Sequence, residues 1–537
     1  YAGGGGGRVA VYYEDSSQFT LANIHAYGGQ YTNGTNATYN GGAGTVYLKK
    51  LNEEAQLIID NRALQAGKPL IFPVINPSTV SDISENVLTN MSAAYMTNAL
   101  VGMELIADTA NMEKTFTITG NDATTISTDP GDGDLSGFTA IGSTYAGKMV
   151  FGGHLMIRNT IAEISRDIDL NNLSLVENTV LRHPAATTTS TSYLNIKAAE
   201  KVVIDSTSKI SVGGRGYLGA YQGDNNVYTG RTLGNVAGSG YYCGGSYGGY
   251  GGKYTYTVNE LYGSLYDPND LGSGGGSNNN VVGGNGGGVV RIEAAELVLD
   301  GTISANGGSC SNNYGAGGSG GSVKVKVKTL SGSGTITADG GNSTYRGAGG
   351  GGRVAIYYED SSQFTLANIH AYGGQYTGGT NATYNGGAGT MYLKPSSQTY
   401  GDLIVDNNNT ATSTTIYTTT LPAMGSGFNT TIEQFKLNNT NAAWVPGALI
   451  GLELNPYPAG EATYTVVAND AVSLSTAEAD GDMTLYSQNG YPYIGEHHLF
   501  NLTVKGGARV FTYDRIMTAG TLTVETGSAL KAENVER

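Results

Sequence analysis

The passage Arg8–Leu48 returns almost verbatim at Arg353–Leu393, changed only at Val11/Ile356, Asn33/Gly378 and Val46/Met391. A chain that repeats itself this closely is built from stacked or duplicated units, because each copy must satisfy the same local pattern. The likeness continues more weakly. "QLIIDN" at Gln56 matches "DLIVDN" at Asp402, and "NALVGMELIADT" at Asn98 matches "GALIGLELNPYP" at Gly447. "TFTITGNDATTISTDPGDGD" at Thr115 matches "TYTVVANDAVSLSTAEADGD" at Thr463. Residues 1–182 and about 346–537 are thus two copies of one stretch. A chain that starts inside a repeated passage reads as part of something longer.

A shorter period of 33 separates "GTISANGG", "GTITADGG" and "NIHAYGG", which close at Gly307-Gly308, Gly340-Gly341 and Gly373-Gly374. A strand precedes each. In the one at Gly320, Val323, Val325 and Val327 alternate with Lys324, Lys326 and Lys328, so one face is apolar and the other charged. Each unit reads as strand, turn, strand, Gly-Gly, glycine-rich loop. One unit cannot bury its own apolar edge, and stacked units can. A period of 20 relates "NLTV" at Asn501 to "TLTV" at Thr521, about one coil of a parallel β-helix.

The expected fold is all-β: a parallel β-helix or β-solenoid with glycine-rich loops and small inserted antiparallel β modules. Solenoid coils are expected at 1–50, 151–395 and 496–537, and the modules at 51–150 and 396–495. The Gly/Tyr-rich insert 215–287 is too long for a plain connection and reads as a protruding loop. Helix is scarce, and the best stretch, from Ile83, is marginal.

Glycine accounts for 83 of 537 residues, and charged residues for 14%. The glycine runs recur at matched places. They read either as flexible loops or as extended three-fold glycine helices packed side by side. The net charge of −15 and the lack of a basic run argue against nucleic acid. No apolar run is long enough for a membrane span.

Chemistry is sparse. The adjacent acids Glu14-Asp15 and Glu359-Asp360 face opposite ways on a strand, a poor general acid/base pair. No acidic cluster of an enzyme groove is legible, so no catalytic residue is assigned and an enzyme is not expected. Asp129, Asp132 and Asp134 in "DPGDGD", with Asp480 and Asp482 in the second copy, place carboxylates close together in a Gly-bent loop. They suit either calcium or a solvated acidic turn. No other cofactor is expected. Cys243 and Cys310 stand as a disulfide candidate or as two free thiols. Tyr12, Tyr13, Tyr357 and Tyr358 are candidates for assembly contacts or for stacking against sugars.

Together "GGAGTVYLK…LIIDN", "GAGGGGRVAIYY" and "NLTVKGGARV…AGTLTVETGSALKA" resemble the glycine-rich repeat modules of very large secreted bacterial and archaeal surface proteins, adhesin- or haemagglutinin-like, with parallel β-helix segments. The resemblance implies an extracellular or cell-surface location and a role in adhesion, sheath or filament. It supplies no catalytic residues. The reading is a structural subunit of an extracellular filament that assembles with copies of itself. The alternatives are a glycan-binding module of a giant adhesin and, less favoured, a β-helix polysaccharide-degrading enzyme.

Overall fold

The computed structural model describes residues 2–32, 36–62, 64, 67–110, 114–413 and 418–533. The chain is nearly all β, with only single-turn 3-10 helices among the described residues. It divides into two compact units. The first is Tyr1–Pro184, Tyr193–Lys209 and Ile292–Gly301; the second is Ala185–Ser192, Ile210–Arg291 and Thr302–Arg537.

In the first unit the strand Arg8–Tyr13 pairs in parallel with Thr45–Lys50, which turns antiparallel onto Ala55–Asp60. A parallel ladder then runs through Thr144–Arg158, Arg166–Val176 and Leu194–Ile204. Its register stacks Ile59, Ile157, Leu175 and Ile204 in one column, each fully buried. Like side chains at one phase of successive strands bury together, which the period-two pattern requires. The 15-residue strand Thr144–Arg158 serves two structures. Its first half pairs antiparallel with Glu104–Ile106, and its second half joins the parallel ladder.

Between those strands lies an antiparallel module whose core is Leu88, Leu105, Phe116, Ile118, Ile126 and Tyr145. The stretch from Ile83, the best helix candidate, forms the hairpin Asp82–Ser84 to Val87–Thr89 within it. Ile83, Val87, Met91 and Tyr95 keep a helical spacing, but cross-strand pairing overrides it: Leu88 is fully buried opposite Ile83 and Ile126.

The second unit repeats the plan. Ser322–Gly332, Arg353–Tyr358 and Thr390–Pro395 form a parallel ladder that aligns Val323, Val354 and Met391, and Val325, Ile356 and Leu393. Asp402–Asp406 follows antiparallel, then Leu502–Lys505 and Leu522–Val524 in parallel. A shorter ladder joins Thr302–Ser304, Thr335–Thr337 and Ile369–His370, and Cys310, Ser343 and Tyr376 bridge in the same sense. The 33-residue sequence period is the register of this ladder. Side chains reinforce it: Asn306 Oδ1 accepts from Asp339 N–H at 2.8 Å, and Asp339 Oδ1 from Tyr372 N–H at 2.8 Å. The second antiparallel module is cored by Leu437, Leu454, Val466, Leu474, Met483 and Tyr493.

The glycine runs are ordered. Gly317 N–H donates to Gly347 O, and three residues on Gly320 N–H donates to Gly350 O, both at 2.9 Å. Gly284 to Ala316 and Gly287 to Ser319 keep the same step. Antiparallel neighbours keep it in reverse: Gly349 to Gly341 and Gly352 to Ala338. An advance of three residues per bond marks extended three-fold helices, which have no internal hydrogen bonds and must bond to neighbours. Backbones lie so close that a Cβ on Gly349 would sit 1.9 Å from Gly318 O.

The segment 215–287 does not protrude. Gly216, Tyr217 and Ala220 bond to Gly286, Gly272 and Gly275, and Gly272 and Gly275 bond to Gly287 and Gly284. Residues 243–249 and 271–277 are buried. Glycine without side chains packs here as interior, its backbone bonded to neighbouring segments.

Candidate functional site

The two copies of one sequence stand in different surroundings, and the difference defines a surface. On one side they agree. Gly3 and Gly6 donate to Tyr39 and Gly42 at 2.7 and 2.9 Å, as Ala348 and Gly351 donate to Tyr384 and Gly387 at 2.8 and 2.9 Å. On the other side the second copy is filled. Its strand edge pairs with Ser322–Gly332, and its glycines bond to the Gly/Tyr segment: Gly350 to Gly245, Gly248 to Gly351, Gly252 to Ala348. Arg353 is fully buried. Its Nε donates to Tyr262 O at 3.0 Å, Nη1 donates to Thr390 Oγ1 at 3.2 Å, and the guanidinium lies 5.4 Å from the Tyr247 ring. Burial pushes the neighbouring Asp270 carboxyl up to about 6, although the Arg353 charge pulls it down. Tyr357 donates its hydroxyl to Tyr266 O at 2.7 Å.

In the first unit the matching positions are open. Arg8 is exposed, and Tyr12 is 74% exposed. A Cβ on Gly4, Gly5 or Gly7 would meet nothing within 4 Å among the described residues. The equivalent positions Gly349, Gly350 and Gly352 face Gly318, Gly249 and Gly321 at 1.9, 1.9 and 2.1 Å. Among the described residues Arg8–Tyr13 pairs on one side only, with Thr45–Lys50, and the second unit shows what fills the other side of its copy: a strand and glycine segments that precede that copy in the sequence. Unpaired edges are templates for further strands.

The residues singled out in sequence fall in several places. Tyr12 and Tyr47 keep the ring contact of Tyr357 and Tyr392, with centroids 5.6 and 5.9 Å apart. Tyr13 and Tyr358 are half-buried on their strands. The acidic turns are capping devices. Asp129, Asp134 and Asp482 accept backbone N–H groups of 3-10 turns from Gly131, Ser136 and Thr484, each at 2.8 Å. Asp132 and Asp480 accept from Thr117 and Thr465 at 2.6 and 2.7 Å, and this bond holds the Asp132 carboxyl below its ordinary value. Among the described residues no group of three or more His, Cys, Asp or Glu is arranged to hold a metal. Cys243 and Cys310 form no disulfide. Each is a buried free thiol, donating to Tyr256 O at 3.2 Å and Val282 O at 3.3 Å, and burial raises both thiols. They sit on different glycine strands, each turned to its own carbonyl.

Arg353, Asp270 and Tyr266 carry no mark in the sequence, since Arg353 reads the same as Arg8. A second group had a signal that alignment of the copies exposes. Lys148-Met149-Val150 in the first module corresponds to Glu496-His497-His498 in the second, on the strands that pair with Glu104 and Glu453. That exchange gathers ionisable side chains beside four tyrosines.

No family model and no curated protein sequence matches the chain. Among solved structures, the tailspike gp61 of Pseudomonas phage phi297 aligns over 82% of this chain and 84% of its own, at 9% identity and a TM-score of 0.12. Tailspike gp49 from Pseudomonas phage LKA1 aligns over 82% and 85%, at 12% identity and a TM-score of 0.11. No helix among the described residues is long and apolar enough to cross a membrane.

Proposed function

We propose that this chain is a structural subunit of an extracellular filament or surface fibre. In this reading its parallel ladders close into β-solenoid coils, and copies add end to end. The observation that supports it is that both copies bond their glycine strands to neighbours at the same positions, and that in the second copy a further strand and further glycine segments add to that face. In this reading the same face of the first copy, Gly3–Gly7 with Arg8–Tyr13, takes up a second copy of the chain, presenting Leu522–Val524. That strand pairs on one side only among the described residues, and Leu522 and Val524 are 53% and 43% exposed. Pairing of these two edges between copies makes a head-to-tail contact, which propagates as a filament when the rotation does not close. Low charge and many Tyr, Thr and Asn suit such a fibre.

Electron microscopy of the native material at physiological salt tests this. Filaments with a regular axial repeat are expected. Gly4→Ala with Gly7→Ala should leave the melting temperature unchanged, since each Cβ points into open space, and should abolish filaments. Isolated particles of the wild type at high concentration, or undiminished filaments from the double variant, would refute the proposal.

A further inference from the structure

The second unit contains a cavity of about 400 Å³ lined by Tyr266, Tyr357, Tyr392, Tyr400, Glu453 and His498, with Asp480, Lys394, Gly451 and three threonines completing the wall. Its size is that of small-molecule sites, roughly 300–1,000 Å³. The tyrosines are fixed in place. Tyr357 and Tyr392 bond to Tyr266 O and Gly401 N–H, at 2.7 and 2.9 Å, and the Tyr266 and Tyr392 rings meet edge to face at 4.9 Å. Tyr400 hydroxyl and His498 Nδ1 lie 3.0 Å apart. His498 Nε2 lies 2.7 Å from Glu496 Oε2, and Arg515 donates to the other Glu496 oxygen at 3.2 Å. Thr465 Oγ1 donates to Glu453 at 3.1 Å. Burial raises the Glu453 carboxyl, with the His498 charge opposing.

Folding does not demand this set. The first module makes the same strands with Glu54, Lys148 and Val150 where the second has Tyr400, Glu496 and His498. It retains Tyr12, Tyr47, Lys49, Glu104 and Asp132 at the other matching positions. The substitutions thus add an aromatic ring and a held imidazole to a wall that already carried two carboxylates.

We propose that this cavity binds a carbohydrate unit, a hexose or amino-hexose ring lying against the tyrosine rings with its hydroxyls bonded to Glu453, Asp480 and the Tyr400 hydroxyl, which His498 holds in place. Aromatic rings match the apolar face of a sugar ring, and carboxylates accept from hydroxyl groups. Phosphate and other anions are disfavoured by Glu453 and Asp480, which outnumber Lys394. The proposal does not depend on filament formation.

Saturation-transfer NMR on the full chain, with glucose, galactose, N-acetylglucosamine, glucosamine and ethylammonium as probes, tests it. Transfer from tyrosine protons to at least one saccharide is expected. Tyr400→Glu and His498→Val carry the residues of the first module, which folds with them, and each should weaken that binding at least tenfold. Tyr12→Ala, in the first unit, should leave it unchanged. Absence of transfer to every saccharide overturns the proposal, as does transfer that survives Tyr400→Glu with His498→Val. Equal binding of glucosamine and ethylammonium, with none of glucose or galactose, also overturns it, since the site is then an ammonium cage.

Discussion

A buried guanidinium shows how one residue type acquires two roles. Arg353 has its donors placed on Tyr262 O and Thr390 Oγ1 and faces Asp270 in a dry interior. Replacing it with Met strands the Asp270 carboxyl, so Arg353→Met should cost about 3–5 kcal/mol, read by denaturant unfolding. Arg8→Met, the same change in an exposed copy, should cost under about 0.5 kcal/mol. Asp514 is a second buried acid. Its oxygens accept Met424 and Gly425 N–H at 3.0 and 2.7 Å, and burial pushes it up to about 7. Its folded value lies above its unfolded one, so the folded state binds the extra proton between them. Its contribution is full below about pH 4 and is lost as pH rises through about 7, at no more than about 1.4 kcal/mol per pH unit. His497 runs the other way. Burial lowers it to about 4, so its contribution grows as pH rises from there through its ordinary value of 6.5. The readout is therefore the difference between wild type and Asp514→Asn. The wild-type advantage in melting temperature should shrink between pH 4 and 7, and a constant difference would exclude the raised Asp514.

At the level of elements, the glycine strands depend on close approach. A Cβ on Gly349 meets the backbone of Gly318, which cannot rotate aside as a side chain would. Gly349→Ala should therefore destabilise by about 1–3 kcal/mol, a cost of overpacking, measured by thermal unfolding beside Gly4→Ala. The ladders themselves were legible. Val323, Val325 and Val327 are buried as their alternation requires, and the 33-residue period is the observed register. The fate of "DSSQF" was not. In the second unit it is the strand Asp360–Phe364, paired with Ser322–Gly332, whereas in the first the same letters form turns. A strand needs a neighbour to bond, and the sequence of a strand does not say whether one is present. The segment 215–287 packs instead of protruding for a related reason. Glycine richness describes a mobile loop and a close-packed interior equally well until partners are known.

For the whole molecule, duplication places one sequence in two surroundings. The glycine face that a strand and the Gly/Tyr segment fill in the second copy has no such neighbours among the described residues in the first. Charge on the other proposed edge should block filaments as the glycine substitutions do. Leu522→Lys with Val524→Lys should yield single particles of unchanged melting temperature, because both side chains are exposed in the subunit. The cavity is where the copies differ: the second module carries Tyr400, Glu496 and His498 where the first, with the same strands, carries Glu54, Lys148 and Val150. The sequence by itself determined the β class, the strand faces and the ladder register, because period-two alternation and near-exact repeats act over a few residues or one repeat unit. Tertiary structure alone decided which Arg is buried, which glycine face is filled, whether "DSSQF" is a strand, and that Tyr266 meets Tyr392 and His497. Those outcomes depend on residues brought together from distant parts of the chain, and burial and hydrogen bonding respond to neighbours in space.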